Sequence, residues 1–214
     1  MLNLPQNIPM RSLDGVIDRV PLFIRACLAA LVLAGLILAM VKDRADLLRT
    51  GTEVRLATAP VDPRDLFRGD YVVLSYDISQ LQTAKLGETR DFKTGEPVFV
   101  VLRPNADGRS EAVAISRTFP APGPGQVVIE GKATGGRFCR PAPGATSRAC
   151  APDEFSTRIT YGLESYFVPQ GQGRRIERTE RSRVEVVAAV SATGKAAIKR
   201  LLIDGKPVYD EPPY

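Results

Sequence analysis

Asp62, Arg64, Asp65, Arg68 and Asp70 crowd into the first eleven residues of segment 60–78, PVDPRDLFRGDYVVLSYDI, with Tyr71 and Tyr76 just beyond. Carboxylates and guanidiniums on adjoining turns make directional, charge-assisted hydrogen bonds, and tyrosine adds a large ring with a polar tip. The chemistry of this set is recognition of a protein or lipid partner. An architectural role competes with it: Gly69 suits a positive φ, Asp70 can bond the turn backbone, and Arg64 with Asp65 can form a plain ion pair. A second stretch, 161–169 (YGLESYFVP), holds Tyr161, Glu164 and Tyr166. Aromatic residues on strands are core material first. Glu164, if it faces inward, needs a cation, since an unpaired buried carboxylate is costly. Arg64 or Arg68 would serve. The candidate binding surface is therefore Asp62, Arg64, Asp65, Arg68, Asp70, Tyr71, Tyr76, Tyr161, Glu164 and Tyr166.

The chain of 214 residues has no histidine and three cysteines. Ser-His-Asp triads, Cys-His dyads and His-ligated metals are excluded. The cysteines are too few and too far apart for a cysteine-rich zinc site. No metal and no cofactor is expected. Gly171-Gln172-Gly173 lacks the preceding buried strand and the Lys-Ser/Thr of a phosphate loop. Net charge is +5, yet the basic residues are scattered. The one cluster, Arg174, Arg175, Arg178, Arg181 and Arg183, is interleaved with Glu177, Glu180 and Glu185 and reads as a solvated face. No nucleic-acid partner is expected; a mild bias toward anionic headgroups is.

These residues need a scaffold, and the scaffold needs a place. Segment 26–41, ACLAALVLAGLILAMV, carries no charge, and residues 22–24 extend it past Arg25, whose stem can snorkel. As a helix, 22–41 spans roughly 30 Å, the thickness of a bilayer core. A cleaved signal peptide and a buried core helix are the alternatives; no Ala-x-Ala site is convincing and the run is long for a signal. The expected plan is a cytoplasmic tail 1–21, a transmembrane anchor 22–41, an amphipathic exit 42–52 and an extracytoplasmic β domain 53–214. Three basic residues on each side of the span leave orientation undecided by charge. Cys139 and Cys150 bracket a Gly/Pro/Ala-rich loop; a disulfide there would put the β domain in an oxidising compartment. Ala26, Ala30 and Ala34 form a small-residue stripe along which another transmembrane helix can approach.

Beyond the anchor, period-two patterns predict strands at 53–59, 71–78, 97–102, 112–118, 127–134, 157–167 (bent at Gly162), 183–191 and 196–203. Residues 81–93 read as a polar loop or irregular helix and 172–181 as an exposed helix. Ala192-Thr193-Gly194 and Asp204-Gly205 are turns, the latter before Val208 and Tyr209. The fold class is mainly β: a transmembrane helix followed by one antiparallel barrel- or sandwich-like domain with one or two short helices.

Gly69-Asp70-Tyr71-Val72-Val73-Leu74-Ser75-Tyr76 resembles the pattern that names the GDYXXLXY family of bacterial membrane-anchored proteins. Pro60-Val61-Asp62-Pro63-Arg64, the 161–169 stretch, and Ile203-Asp204-Gly205-Lys206 with Tyr209 are similar to its other signatures. Gln170 stands where an acid is expected. The resemblance implies an anchored extracytoplasmic domain, often encoded beside a multi-spanning membrane protein, and supplies no catalytic residues. The expected function is an accessory domain supporting an envelope partner, met through the Ala26/Ala30/Ala34 face or the 64–71 turn, in the bacterial inner membrane with a periplasmic C-terminal domain. The alternatives are a lipid- or glycan-binding β domain and a signal-peptidase-like Ser/Lys hydrolase. Leu66-Phe67-Arg68-Gly69-Asp70 resembles the end of the hydrolase motif, but Val61 fills the nucleophile position, leaving Lys195 or Lys199 without a serine.

Overall fold

The computed structural model describes residues 21–58, 71–87, 92–135, 156–167, 179 and 183–211. The chain divides into two compact units, Met1–Asp43 and Arg44–Tyr214.

Helix α1 runs unbroken over Leu22–Thr50. Pro21 opens it: its carbonyl accepts the Ile24 and Arg25 amides at 2.9 and 3.2 Å. Leucine and alanine dominate the sequence that follows, both strong helix formers. Within the first unit the apolar side chains point outward without cover; Leu22, Phe23, Leu28, Leu31, Leu38 and Met40 are all exposed. Among the described residues this is the helix long and apolar enough to cross a membrane. Residues 42–50 continue the same helix, and in the second unit Ala45 and Leu48 are buried. The helix stops where the Gly51 amide closes on the Leu47 carbonyl at 2.9 Å. A Cβ at Gly51 would lie 2.6 Å from that carbonyl and 3.0 Å from the Ala189 Cβ, so no other residue fits.

The second unit is antiparallel throughout its described pairings. One sheet orders β1 (Thr52–Ala57), β9 (Val184–Val190), β10 (Ala196–Ile203) and β11 (Lys206–Asp210). A second orders β3 (Gln80–Leu81), β7 (Thr157–Thr160), β6 (Val127–Ala133), β4 (Pro97–Pro104) and β5 (Ser110–Ser116). A separate ribbon joins β2 (Tyr71–Val73) to β8 (Ser165–Phe167). The mainly β expectation holds, with sheets and no closed barrel among the described residues.

One core unites these elements. Val54 and Leu56 of β1 meet Val98, Val100 and Leu102 of β4, Ile129 of β6, Ile159 of β7 and the even-numbered face of β9. Strand β9, VEVVAAV, is buried at every residue. Covered on both faces, it tolerates a continuous apolar run instead of alternation.

Two strand expectations needed revision. Residues 71–78 do not form one strand: β2 ends at Val73, Tyr76 makes a lone antiparallel bridge to Thr58, and a 3₁₀ turn takes over at Asp77–Ser79. The Ser79 hydroxyl accepts the Tyr76 amide at 3.1 Å and the Ser79 amide returns to the Tyr76 carbonyl at 2.8 Å, which closes the chain on itself there. Likewise 157–167 is two strands in two different sheets, parted at Gly162 with φ +75°. The polar-looking 81–93 region holds a 3₁₀ turn at Thr83–Leu86, and Leu81 and Phe92 are buried. The helix expected at 172–181 lies outside the described residues except for Thr179.

Candidate functional site

The two unusual sequence stretches come together. In the β2–β8 ribbon Tyr71 stands opposite Phe167, Val72 opposite Tyr166 and Val73 opposite Ser165. The Leu74 amide extends the pairing to the Glu164 carbonyl at 2.8 Å. Two tyrosines then bolt the segments in opposite directions. The Tyr76 hydroxyl donates to the Leu163 carbonyl at 2.6 Å, and the Tyr161 hydroxyl donates to the Ile78 carbonyl at 2.7 Å. Both rings are buried among Leu74, Ile78, Leu163 and Tyr166 in the core. Burial, with the Glu164 charge as a lesser contributor, pushes both phenols well above their ordinary range. Each therefore remains a neutral donor at any physiological pH.

Glu164 is half-buried, and its carboxylate accepts the Tyr161 amide at 2.6 Å, closing the turn that Gly162 permits. That backbone bond supplies the polar partner expected from an arginine; Arg64 and Arg68 lie outside the described residues. Tyr166 is also buried, and its hydroxyl donates to Glu211 at 3.3 Å. Of the candidate surface, then, Tyr76, Tyr161 and Tyr166 sit inside the domain with engaged hydroxyls. Tyr71 is placed by its backbone alone. Asp62, Arg64, Asp65, Arg68 and Asp70 lie outside the described residues, as do Cys139 and Cys150.

Beside the ribbon is a cavity of about 110 Å³, walled by Leu163, Ser165, Tyr166 and Ile198, with Arg44 and Glu211 as the charged residues among those described. A bulge in β10 builds one side of it. The register with β9 slips between Ile198 and Arg200, leaving Lys199 unopposed. Its carbonyl turns to take the Glu211 amide at 2.9 Å, and this fixes Glu211 next to Tyr166.

Of the charged cluster expected on a solvated face, Arg183 is exposed and pairs with Asp204, whereas Glu185 is buried; Arg174, Arg175, Glu177, Arg178, Glu180 and Arg181 lie outside the described residues. Glu185 of β9 is buried and accepts Arg55 of β1 at 2.5 Å and Arg109 of the β4–β5 hairpin at 2.7 Å. Burial raises its proton affinity, but the two guanidinium hydrogen bonds outweigh that and hold the carboxyl below the usual range. The signal was present: Glu185 interrupts an otherwise wholly apolar run, so its side chain has nowhere dry to go without a cation. Glu53 is a second clustered acid, pairing with Lys199 at 2.9 Å and with Arg200. Lys199, one of the two candidate general bases, is therefore engaged with Glu53. Among the described residues no group of three or more Asp, Glu or Cys is placed to hold a metal ion.

Comparison with curated proteins and with solved structures returned no match. A family model matches residues 33–201, from the middle of α1 to near the end of β10. That range contains the motif 69–76, whose residues 71–74 pair with 164–167 in the ribbon, and the chain belongs to the GDYXXLXY protein family.

Proposed function

We propose that this protein is a single-pass bacterial inner-membrane protein whose β domain stands on the periplasmic side and supports a partner envelope membrane protein, with no catalysis of its own. The observation that carries this reading is the contrast in burial. The apolar residues of the second unit are packed into a core, whereas the apolar run of α1 is exposed along its whole length and calls for a nonaqueous surrounding. Lipid supplies that surrounding, and the Ala26/Ala30/Ala34 stripe lets a partner helix replace part of it at close range. The charged segment 62–70, which precedes Tyr71 in the sequence, is the second contact assigned to the outer domain in this reading. An oxidised Cys139–Cys150 pair would agree with the periplasmic side.

The test is in-cell crosslinking from photoreactive residues at Arg68 and, separately, at Ala30, followed by mass spectrometry of the adducts. One dominant membrane-protein adduct, abolished at the Arg68 probe by Arg64→Ala with Asp70→Ala, is the expected result. No adduct above control from either probe, with the domain folded, would sink the accessory role. Periplasmic placement is checked by labelling a cysteine placed at the exposed Gly108 with a membrane-impermeant maleimide in intact spheroplasts. Labelling only after lysis would reverse the orientation.

A further inference from the structure

The cavity beside the ribbon carries both signs of charge without neutralising them. Arg44 is exposed and makes no hydrogen bond or ion pair with a described residue, Glu211 included. Among the described residues the Glu211 carboxylate takes only the long 3.3 Å bond from Tyr166. A cation and an anion that line one small cavity yet stay unpaired each keep their capacity for an outside partner of opposite sign. Ser165 adds an exposed hydroxyl at the edge, and Leu163 and Ile198 add apolar wall. About 110 Å³ accommodates a headgroup fragment of a few heavy atoms, not an acyl chain.

Arg44 comes three residues after Val41, the last residue of the uncharged run. On a helix that is about 4.5 Å, and the headgroup layer on each side of the core is roughly 5–8 Å deep. We infer that this cavity takes the headgroup of a zwitterionic phospholipid, its phosphate at Arg44 and its ammonium at Glu211. An anionic headgroup without an amine would satisfy Arg44 and be repelled by Glu211. A neutral sugar could hydrogen-bond to both groups but would neutralise neither charge. The inference rests on the membrane-anchored reading and adds to it a preferred lipid.

Native mass spectrometry of the full chain in detergent, with phosphatidylethanolamine and phosphatidylglycerol added at equal concentration, tests it. Wild-type protein is expected to carry mainly phosphatidylethanolamine adducts. Arg44→Glu and Glu211→Gln should each cut them at least fivefold; Gln keeps an acceptor for Tyr166, so its fold is preserved. The double exchange Arg44→Glu with Glu211→Lys restores one charge of each sign and should recover a good part of the binding. Equal adducts of the two lipids, or phosphatidylethanolamine adducts indifferent to Glu211→Gln, would overturn the assignment. So would tighter binding of soluble O-phosphoethanolamine than of the lipid. Alkaline extraction of cell membranes separates the two failures. A chain released by alkali brings down the anchor and the lipid site together, whereas a retained chain with indifferent adducts brings down the site alone.

Discussion

Tyr76 and Tyr161 lock the same two segments from opposite sides: the Tyr76 hydroxyl is held by the Leu163 carbonyl at 2.6 Å and the Tyr161 hydroxyl by the Ile78 carbonyl at 2.7 Å. Each hydroxyl satisfies a backbone carbonyl in the interior, where losing a partner costs more than the bond itself contributes. Tyr76→Phe and Tyr161→Phe should each destabilise the domain by about 1–3 kcal/mol. Because both bonds clamp one junction, the double variant should fall short of the sum by 0.5 kcal/mol or more, on the order expected of contacting residues. Urea unfolding of the four proteins in detergent measures this cycle. Strict additivity would mean that the two bolts act independently.

The β6–β7 pairing beside Tyr161 also depends on a residue that lacks a side chain. Gly131 of β6 lies against β7, where a Cβ would come within 2.5 Å of the Ile159 Cγ2 and 3.0 Å of both the Thr160 carbonyl and the Tyr161 ring. The Thr160 backbone is held in register with Lys132 and cannot withdraw. Gly131→Ala should therefore destabilise by about 1–3 kcal/mol through overpacking, despite the better strand propensity of alanine. A rise in thermal midpoint for this variant would show that the β6–β7 spacing relaxes freely.

Much of this fold could be read from alternation, and the places where it could not share one cause. Ala196–Ile203 matches its expected strand end to end, and Val127–Ala133 and Val184–Val190 come within a residue at each end. In these, one strand meets sheet neighbours along its full length, so a β-branched and apolar run between turn residues marks it, whether it alternates or, as in Val184–Val190, is buried on both faces. In 71–78 and 157–167 the same pattern of β-branched and aromatic residues is divided among sheets. The break is set by distant carbonyls that capture Tyr76 and Tyr161, at separations of 87 and 83 residues. No local periodicity encodes such a capture. The candidate site shows the same division. That the 71–76 and 161–166 signatures matter together was visible only as two odd stretches; that they pair, and that their tyrosines face inward, required the tertiary fold. Glu185 was misjudged because its cations, Arg55 and Arg109, lie 130 and 76 residues away.

The buried tyrosines give an alkaline signature. The chain has six tyrosines and no tryptophan, so ionisation can be followed cleanly near 295 nm. Tyr76 and Tyr161 are raised above the ordinary phenol value by burial and, secondarily, by Glu164. Up to roughly pH 10, the unfolded value, their contribution to stability is fully present; as pH rises beyond it, the unfolded state releases protons that the folded state retains, and stability is lost. Two phenols should therefore stay dark until the chain unfolds and then appear together. Complete titration of all six before any loss of β-sheet circular dichroism would contradict the buried geometry.

Acid should act on the other buried group. Glu185 is 7% exposed at its side chain, while its partners Arg55 and Arg109 are 39% and 43% exposed. Removing the carboxylate leaves two guanidiniums near one another, but water still reaches both. Glu185→Ala should thus cost about 1–3 kcal/mol at neutral pH, below the usual figure for a fully buried broken pair. Because the folded carboxyl titrates below its unfolded value, its contribution is present above roughly pH 4.3 and is lost as pH falls through the folded value. The stability gap between wild type and Glu185→Gln should accordingly be widest near neutrality and close on acidification. The closing must be measured as a difference, because Glu53 and Asp204 are lowered by their own cations and Glu96 by the Lys93 backbone amide and then by Arg117, and these weaken both proteins alike in acid. A gap that stays constant down to pH 3 would mean that the Glu185 contacts act through shape and not through charge.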